Sequence, residues 1–170
     1  MAAALNRTQL LRGDLRGERA PIRPPWSKLE GLFIEQCERC DDCIKSCEQD
    51  IIRRGAGGFP QIDFSKGHCT FCGDCVKACK HAALAFPADA EERPWALSIE
   101  IKEDCLSMHG IVCRICGERC EESAIRFRLQ TGGRAMPLPD PELCSGCGEC
   151  SHACPSHSIN IRPLQHVRAA

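Results

Sequence analysis

The stretch Cys144-Ser-Gly-Cys147-Gly-Glu-Cys150-Ser-His-Ala-Cys154-Pro155 decides the fold of this chain. Three of its cysteines follow one another in C-x2-C-x2-C spacing, and the fourth comes after a wider gap, directly before a proline. Such spacing lets three thiolates hold one face of a cubane iron–sulfur cluster, while the fourth thiolate reaches a neighbouring cluster. The stretch therefore predicts a partner run elsewhere in the chain.

Three further runs are present, and the 16 cysteines divide into four runs of four with none left over. Runs one and two share the spacing of the opening stretch, whereas run three is extended by residues 106–112. All of these cysteines are predicted iron ligands, and they predict four [4Fe-4S] clusters, the one in run three being more exposed, labile or incomplete. The runs are Cys37, Cys40, Cys43 and Cys47; Cys69, Cys72, Cys75 and Cys79; Cys105, Cys113, Cys116 and Cys120; and Cys144, Cys147, Cys150 and Cys154.

Disulfides and zinc are the other common uses of so many cysteines. Disulfides need an oxidising compartment, and the first residues lack the apolar segment of a secretory signal. Zinc sites usually combine two separated pairs of ligands, often with histidine, which the repeated three-plus-one spacing matches poorly. We therefore expect reduced, iron-bound thiols in a cytoplasmic protein, and we expect the histidines near the runs to be bystanders.

Composition narrows the class of protein further. The chain has 170 residues but no Tyr, six Phe and two Trp, so little aromatic surface is available for a core. Inorganic clusters would fill part of the interior. The formal net charge of −1 argues against a nucleic-acid-binding protein, and no apolar run is long enough to span a membrane.

Two pairings of the runs are compatible with the sequence. In the tandem pairing, the fourth cysteines of runs one and two are exchanged, and so are those of runs three and four; the nested pairing joins run one with four and run two with three. Loop lengths are similar and leave both open, but sequential elements are usually neighbours, which favours the tandem pairing. Its ligand sets are Cys37, Cys40, Cys43 and Cys79; Cys69, Cys72, Cys75 and Cys47; Cys105, Cys113, Cys116 and Cys154; and Cys144, Cys147, Cys150 and Cys120.

Alternating apolar residues flank the runs and predict strands, and a short helix is expected around each fourth cysteine. The fold class that follows is α+β, with two tandem bacterial-type two-cluster ferredoxin domains built from ferredoxin-like pseudo-repeats and preceded by an N-terminal arm. The predicted domains are a partly disordered arm over 1–30, a two-cluster domain over 31–88, a linker over 89–95, and a second two-cluster domain over 96–170 with the extended run. The predicted strands are 59–64, 84–86, 97–101, 125–129 and 159–161.

The arm contains Arg23-Pro24-Pro25-Trp26. A disordered terminus is one interpretation of it. The other is a weak partner-binding segment, in which the two prolines keep the chain extended and Trp26 acts as the anchor.

Several of these features together resemble the NapF family of ferredoxin-type proteins of the periplasmic nitrate reductase system. They are the segment 22–26, the first cysteine run, Arg54-Gly-Ala-Gly-Gly-Phe-Pro60, and the extended third run. The resemblance implies a cytoplasmic protein that associates with the molybdenum-containing catalytic subunit before export. It also implies a role in maturation of that subunit, with electrons supplied during assembly.

Three functions are therefore weighed: a redox-active assembly factor, a general electron-transfer ferredoxin of an anaerobic respiratory chain, and a structural zinc protein. No catalytic constellation, phosphate-binding loop or carboxylate pair stands out, and cysteines committed to iron are not free nucleophiles. We therefore expect no catalytic residues and do not expect an enzyme.

Overall fold

The computed structural model of the chain describes residues 21–89 and 93–163. Its helices and strands, in chain order, are α1 (Glu30–Gln36), α2 (Asp42–Lys45), β1 (Ile52–Arg54), β2 (Pro60–Ile62), α3 (Asp74–Lys77), β3 (Leu97–Ile101), α4 (Ile115–Glu118), β4 (Ile125–Leu129), β5 (Ala135–Pro139), α5 (Glu149–His152) and β6 (Ile159–Pro163). Short 3-10 turns occupy Ala56–Gly58, Leu106–His109 and Thr131–Gly133. The mixture of short helices and strands agrees with the predicted α+β class.

The strands form three two-stranded antiparallel sheets. β1 pairs with β2 between runs one and two, and β4 pairs with β5 between runs three and four. The part of the chain with runs one and two is called the first half, and the part with runs three and four the second half. β3 pairs with β6, and this sheet brackets runs three and four. The bounds predicted for β3 and β4 from alternating apolar residues are confirmed.

Four of the helices have four residues, and each carries the third cysteine of its run. Each ends two residues before the fourth cysteine, so the prediction of a helix around the fourth cysteine is displaced. Left-handed residues precede three of these helices: Asp41, Gly73 and Gly148, with φ of 64°, 76° and 87°. These residues turn the ligand loop sharply into the helix. Arg114, before α4 of the extended run, has φ −134° instead.

The apolar core is larger in the first half than in the second. In the first half, Phe33, Ile51, Ile52 and Leu84 are almost fully buried, together with Phe64 at 8% exposure. The second half has a smaller cluster built on Ile125, Cys150 and Ile159. The expectation of a core poor in aromatic residues therefore applies mainly to the second half.

The described part of the predicted arm is packed against the first half. Pro24 and Pro25 are buried, and Trp26 lies edge-on to Phe71 and Phe86 with ring centroids 6.3 and 5.0 Å away. Ser27 forms an antiparallel bridge with Leu84. These contacts differ from the expectation of a partly disordered segment, because the prolines and Trp26 bury their apolar surface within this chain. Residues 1–20 lie outside the described residues.

Arg23 is also engaged within the chain. Its guanidinium donates to both carboxylate oxygens of Glu30, at 2.9 and 2.7 Å, and to the carbonyl of Pro60 at 2.9 Å. It also lies over the ring of Phe33, 4.9 Å from the centroid. The recognition role predicted for Arg23, Pro24, Pro25 and Trp26 therefore falls on side chains that already have partners.

The described end of the predicted linker contacts both halves. The amide of Trp26 donates to the carbonyl of Pro94 at 2.6 Å. Arg93 donates to the carbonyls of Pro141 at 2.9 Å and of Glu142. Residues 93–95 are thus held by a backbone hydrogen bond from Trp26 and by the side chain of Arg93, and residues 90–92 are outside the described ranges.

Candidate iron–sulfur cluster sites

One cavity lies between the loops of runs one and two. The space free of protein atoms here is about 440 Å³, part of it open to solvent, and its apolar walls include Trp26, Ile52 and Phe71. Its four thiols come from two different runs, since Cys47 joins the first three cysteines of run two. They are Cys47, Cys69, Cys72 and Cys75.

A second cavity lies between runs three and four, where about 340 Å³ is free of protein atoms and part of that space is open to solvent. Ile101, Phe127 and Pro137 are among its apolar walls. Its thiols are Cys105, Cys113, Cys116 and Cys154, so the fourth cysteine of run four again joins the first three of the preceding run.

The extension in run three does not separate Cys105 from Cys113. Leu106–His109 folds as a 3-10 turn, Gly110 then adopts φ 82°, and the amide of Ile111 returns to the carbonyl of Leu106 at 3.1 Å. The insertion is therefore a closed loop that leaves both thiols on one cavity. Val112, at the end of this loop, is 92% exposed.

The remaining cysteines also have identifiable neighbours. Burial raises the pKa of Cys43 to about 12, and the charges of Cys37, Cys75, Cys79 and Cys40 add to that effect. Cys43 therefore has the fourth cysteine of run two beside it.

Cys150 is almost fully buried, and burial raises its pKa strongly. Cys147, Cys144, Cys116 and Cys120 raise it further by their charge. The fourth cysteine of run three thus stands beside the first three of run four.

Burial is also the main reason why the pKa of Cys69 rises to about 11 and that of Cys75 to about 12. A thiolate in such surroundings needs a compensating cation, and cluster iron supplies it, because metal ligation requires the deprotonated sulfur. The four-thiol sets with apolar walls therefore fit iron–sulfur clusters by the chemistry of their donors.

Backbone amides point at several of these sulfurs. Phe71 donates to Sγ of Cys69 at 3.4 Å, Leu84 to Cys79 at 3.5 Å, and Ala124 to Cys120 at 3.3 Å. Hydrogen bonds to ligand sulfur stabilise negative charge and tune the reduction potential of a cluster.

Ser158 is a functional candidate that the sequence analysis missed. Its side chain is fully buried, and its Oγ lies 3.5 Å from Sγ of Cys154 and 2.7 Å from Oγ of Ser156. The pKa of Cys154 lies below its ordinary value, because hydrogen bonds from Ser158 and Ser156 outweigh the burial that would raise it. The only signal in the sequence was the position of two serines just after the Cys-Pro pair.

The other predicted site features are placed as follows. Cys40 and Cys72 are exposed residues, whereas the other ligands are partly or fully buried. Neither of the two cavities described above has a histidine in its lining. Within residues 21–89 and 93–163, no three His, Cys, Asp or Glu side chains are grouped tightly enough for a single metal ion, and no helix is long and apolar enough to cross a membrane.

Comparison with known proteins also indicates iron–sulfur cluster binding. Residues 36–93 match the family model of the 4Fe-4S dicluster domain, and residues 137–160 match that of the 4Fe-4S binding domain. The chain is 45% identical to the ferredoxin-type protein NapF of Haemophilus influenzae, over 85% of this chain and 80% of that protein. It is 39% identical to NapF of Escherichia coli strain K12, over 94% of this chain and 95% of that protein. Its identity to the ferredoxin-type protein NapG of H. influenzae is 30%, over 89% of this chain and 61% of that protein.

Proposed function

The chain belongs to the NapF family of ferredoxin-type proteins, which carry [4Fe-4S] clusters and transfer electrons, and from this we propose that it holds four such clusters and serves in maturation of the catalytic subunit of periplasmic nitrate reductase. The observation that carries the cluster part of the proposal is the assembly of thiols from two runs around each apolar cavity, Cys47 with run two and Cys154 with run three. The maturation role rests on the similarity to NapF.

Each fourth cysteine completes the set of the partner run in the same half. We therefore infer the tandem pairing, with all sixteen cysteines as iron ligands. The exchange ties the two runs of a half together, so binding of two clusters and folding of that half support each other. The clusters supply one-electron redox chemistry when bound. The chain positions them, donates hydrogen bonds to their sulfur ligands and excludes water from their apolar side.

The proposed partner is the molybdenum-containing catalytic subunit, which the chain would bind in the cytoplasm before that subunit is exported. Exposed apolar side chains are available for such contact in both halves. Leu29 is 79% exposed beside α1, and Val112 is 92% exposed in the extended run. Side chains of this kind often mark protein interaction surfaces when they form patches.

A second candidate is a general electron-transfer ferredoxin. The exposure of the residues Cys40 and Cys72 favours it, because an electron can leave or enter where a ligand residue lies at the surface. Neither candidate requires a catalytic side chain, and we propose that the chain is not itself an enzyme.

An anaerobic pull-down separates the two candidates. The cluster-loaded full chain is expected to capture the unexported catalytic subunit, and the cluster-free chain is expected to capture less. Leu29→Glu and Val112→Glu place a charge on each exposed apolar side chain, so the variant that loses capture identifies the docking half. Deletion of residues 1–20 tests the N-terminus without removing the packed segment around Trp26.

Two results together would contradict the assembly role. They are failure of the loaded chain to capture the catalytic subunit, and full activity and cofactor loading of that subunit in cells without this chain. Reversible one-electron reduction of the loaded chain would then support the electron-carrier function instead.

A further inference from the structure

The ligand loops of run two and run four meet between the two halves. The amide of Cys69 donates to the carbonyl of Cys147, with nitrogen and oxygen 2.8 Å apart. These two cysteines belong to different proposed cluster sets, so the main chains of two ligand loops from different halves are joined directly. We call this contact, formed by His68, Cys69, Trp95, Cys147 and Glu149, the loop junction.

Trp95 holds one side of the loop junction. Its Nε1 donates to the carbonyl of Ser145 at 3.0 Å. Its ring stands edge-on to Phe64 and Phe71 of the first half, with centroids 6.0 and 5.9 Å away. Trp95 therefore anchors the run-four loop to Phe64, which precedes run two, and to Phe71, which lies within it.

Glu149 holds the other side. It is the first residue of α5, the helix that carries Cys150. Its Oε2 lies 2.6 Å from Nδ1 of His68 in the first half, and its Oε1 lies 4.0 Å from Nη1 of Arg119. His68 directly precedes Cys69, so this contact draws the same two loops together.

Two glycines of run four make the close approach feasible. Gly146 has φ 80°, and a Cβ at this position would stand 2.5 Å from Nε1 of Trp95. Gly148 has φ 87°, and a Cβ there would overlap the ring of Phe64. The loop therefore lacks side chains where Trp95 and Phe64 supply aromatic rings.

Within each half, the two cluster sets also lie next to each other. Cys47 of run one lines the cavity of the second set, and Cys154 of run four lines the cavity of the third set. Helices α2 and α3 pack together in the first half, as α4 and α5 do in the second. The loop junction thus joins the second set with the fourth, which leaves the first and third sets at the two ends. The sets are numbered by the run that supplies three of their cysteines, so the second includes Cys69 and the fourth includes Cys147.

We propose that the loop junction couples the two halves electronically, so that the four cluster sites form one series in the order one, two, four, three. The proposal rests on the proposed function, since it requires clusters on all four sets. Each exchange moves one electron: a reduced cluster is oxidised by one electron and its oxidised neighbour is reduced by one, with no bond made or broken and no proton transferred. The first electron comes from a low-potential one-electron donor, a class that dithionite represents in the test.

The order has a consequence for partners. Sets one and three are the ends of the series, and each has a surface feature. Cys40 of set one is exposed, and Val112 of the extended run is exposed next to Cys113 of set three. Electrons would enter at one end of the molecule and leave at the other, with the loop junction as the passage between halves.

The test uses the full chain, loaded with clusters and fully reduced with dithionite. Electron paramagnetic resonance at two microwave frequencies separates magnetic interaction between clusters from the anisotropy of each cluster, because interaction splittings do not scale with field. The double variant Trp95→Ala/His68→Ala removes the contacts on both sides of the junction and keeps every cysteine. We expect it to lose the interaction between halves and to show the spectrum of two separate pairs of clusters.

The matched control is Phe59→Ala/His81→Ala, which removes an aromatic ring and a histidine of the first half away from the loop junction. It is expected to keep the wild-type interaction pattern. An unchanged pattern in Trp95→Ala/His68→Ala at wild-type iron content would overturn the proposal. If that variant loses iron, the single variants Trp95→Ala and His68→Ala replace it. An unchanged interaction pattern in both, at wild-type iron content, would overturn the proposal, and loss of the interaction in either would support it. Absence of any reduced-cluster signal in the wild type would instead contradict the proposed function.

Discussion

Ser158 illustrates how much of the site chemistry depends on single side chains that are not ligands. It is fully buried, and its hydroxyl reaches both the sulfur of Cys154 and the hydroxyl of Ser156. A hydrogen bond to a ligand sulfur favours the more negative, reduced form of a cluster. The third site, which has the extended run, therefore has a donor that can offset the cost of placing negative charge in an apolar cavity.

Ser158→Ala is expected to lower the reduction potential of the third cluster by an amount on the order of 50 mV, because about 1 kcal/mol of stabilisation of the reduced form is lost. Redox titration followed by electron paramagnetic resonance measures the shift. The control is Ser151→Ala, because the hydroxyl of Ser151 donates to the carbonyl of Ile159 instead, at 3.1 Å. Equal potentials in wild type and Ser158→Ala would show that this hydroxyl does not tune the site.

The contrast between the cysteines and Ser158 explains what could be predicted from residues alone. Cysteine spacing indicates cluster ligands because the loop geometry of a cubane site requires it. A serine carries no such pattern, since its burial depends on the surrounding fold. The amides that donate to Cys69, Cys79 and Cys120 are equally invisible in the sequence, because every residue type except proline has one.

Helix α1 lies between the packed segment 21–27 and the first ligand loop. Its only described buried residue is Phe33, which is fully covered and packs 6.2 Å from the ring of Phe59. Leu32, next to it, is 49% exposed. Helix α1 is thus attached to the rest of the first half mainly through the side chain of Phe33.

Phe33→Ala is expected to lower the free energy of unfolding of the loaded protein by about 3–5 kcal/mol, because it removes a fully buried ring and leaves a cavity. Leu32→Ala is the matched control and should change stability by less than about 0.5 kcal/mol. Denaturant unfolding under anaerobic conditions compares the two. Similar destabilisation by both variants would mean that the ring of Phe33 does not anchor α1.

Alternating apolar residues predicted β3 and β4 with their observed bounds, because a strand with one covered face has a clear period of two. The four-residue helices were displaced by comparison, since their position depends on the left-handed turns at Asp41, Gly73 and Gly148. Residues 21–27 belong to the predicted arm over 1–30, which was interpreted either as partly disordered or as a partner-binding segment that its prolines keep extended. Its burial against Phe71 and Phe86 depends on a surface that the sequence does not display.

The two halves of the molecule depend on clusters to different degrees. The first half has the larger apolar core, including Phe33, Ile51 and Phe64, whereas the second is built around a few residues such as Ile125 and Ile159. Cysteines line the remaining interior in both halves. Clusters would therefore serve as core as well as cofactor, and most of all in the second half.

Removal of iron by an anaerobic chelator is expected to unfold the second half and to loosen the first. Far-ultraviolet circular dichroism and thermal unfolding measure the change, and the cooperative transition of the loaded protein should disappear. A cooperative, near-native transition in the iron-free chain would contradict this expectation, because it would require a core that the described residues do not provide.

The central claim is that all sixteen cysteines hold iron in four clusters. Its most direct test is the iron and acid-labile sulfide content of the anaerobically purified full chain, with zinc measured in the same samples. We predict about 16 iron and about 16 sulfide atoms per chain, since each set of four thiolates holds four irons. A content near half of these values, or zinc in place of iron, would contradict it.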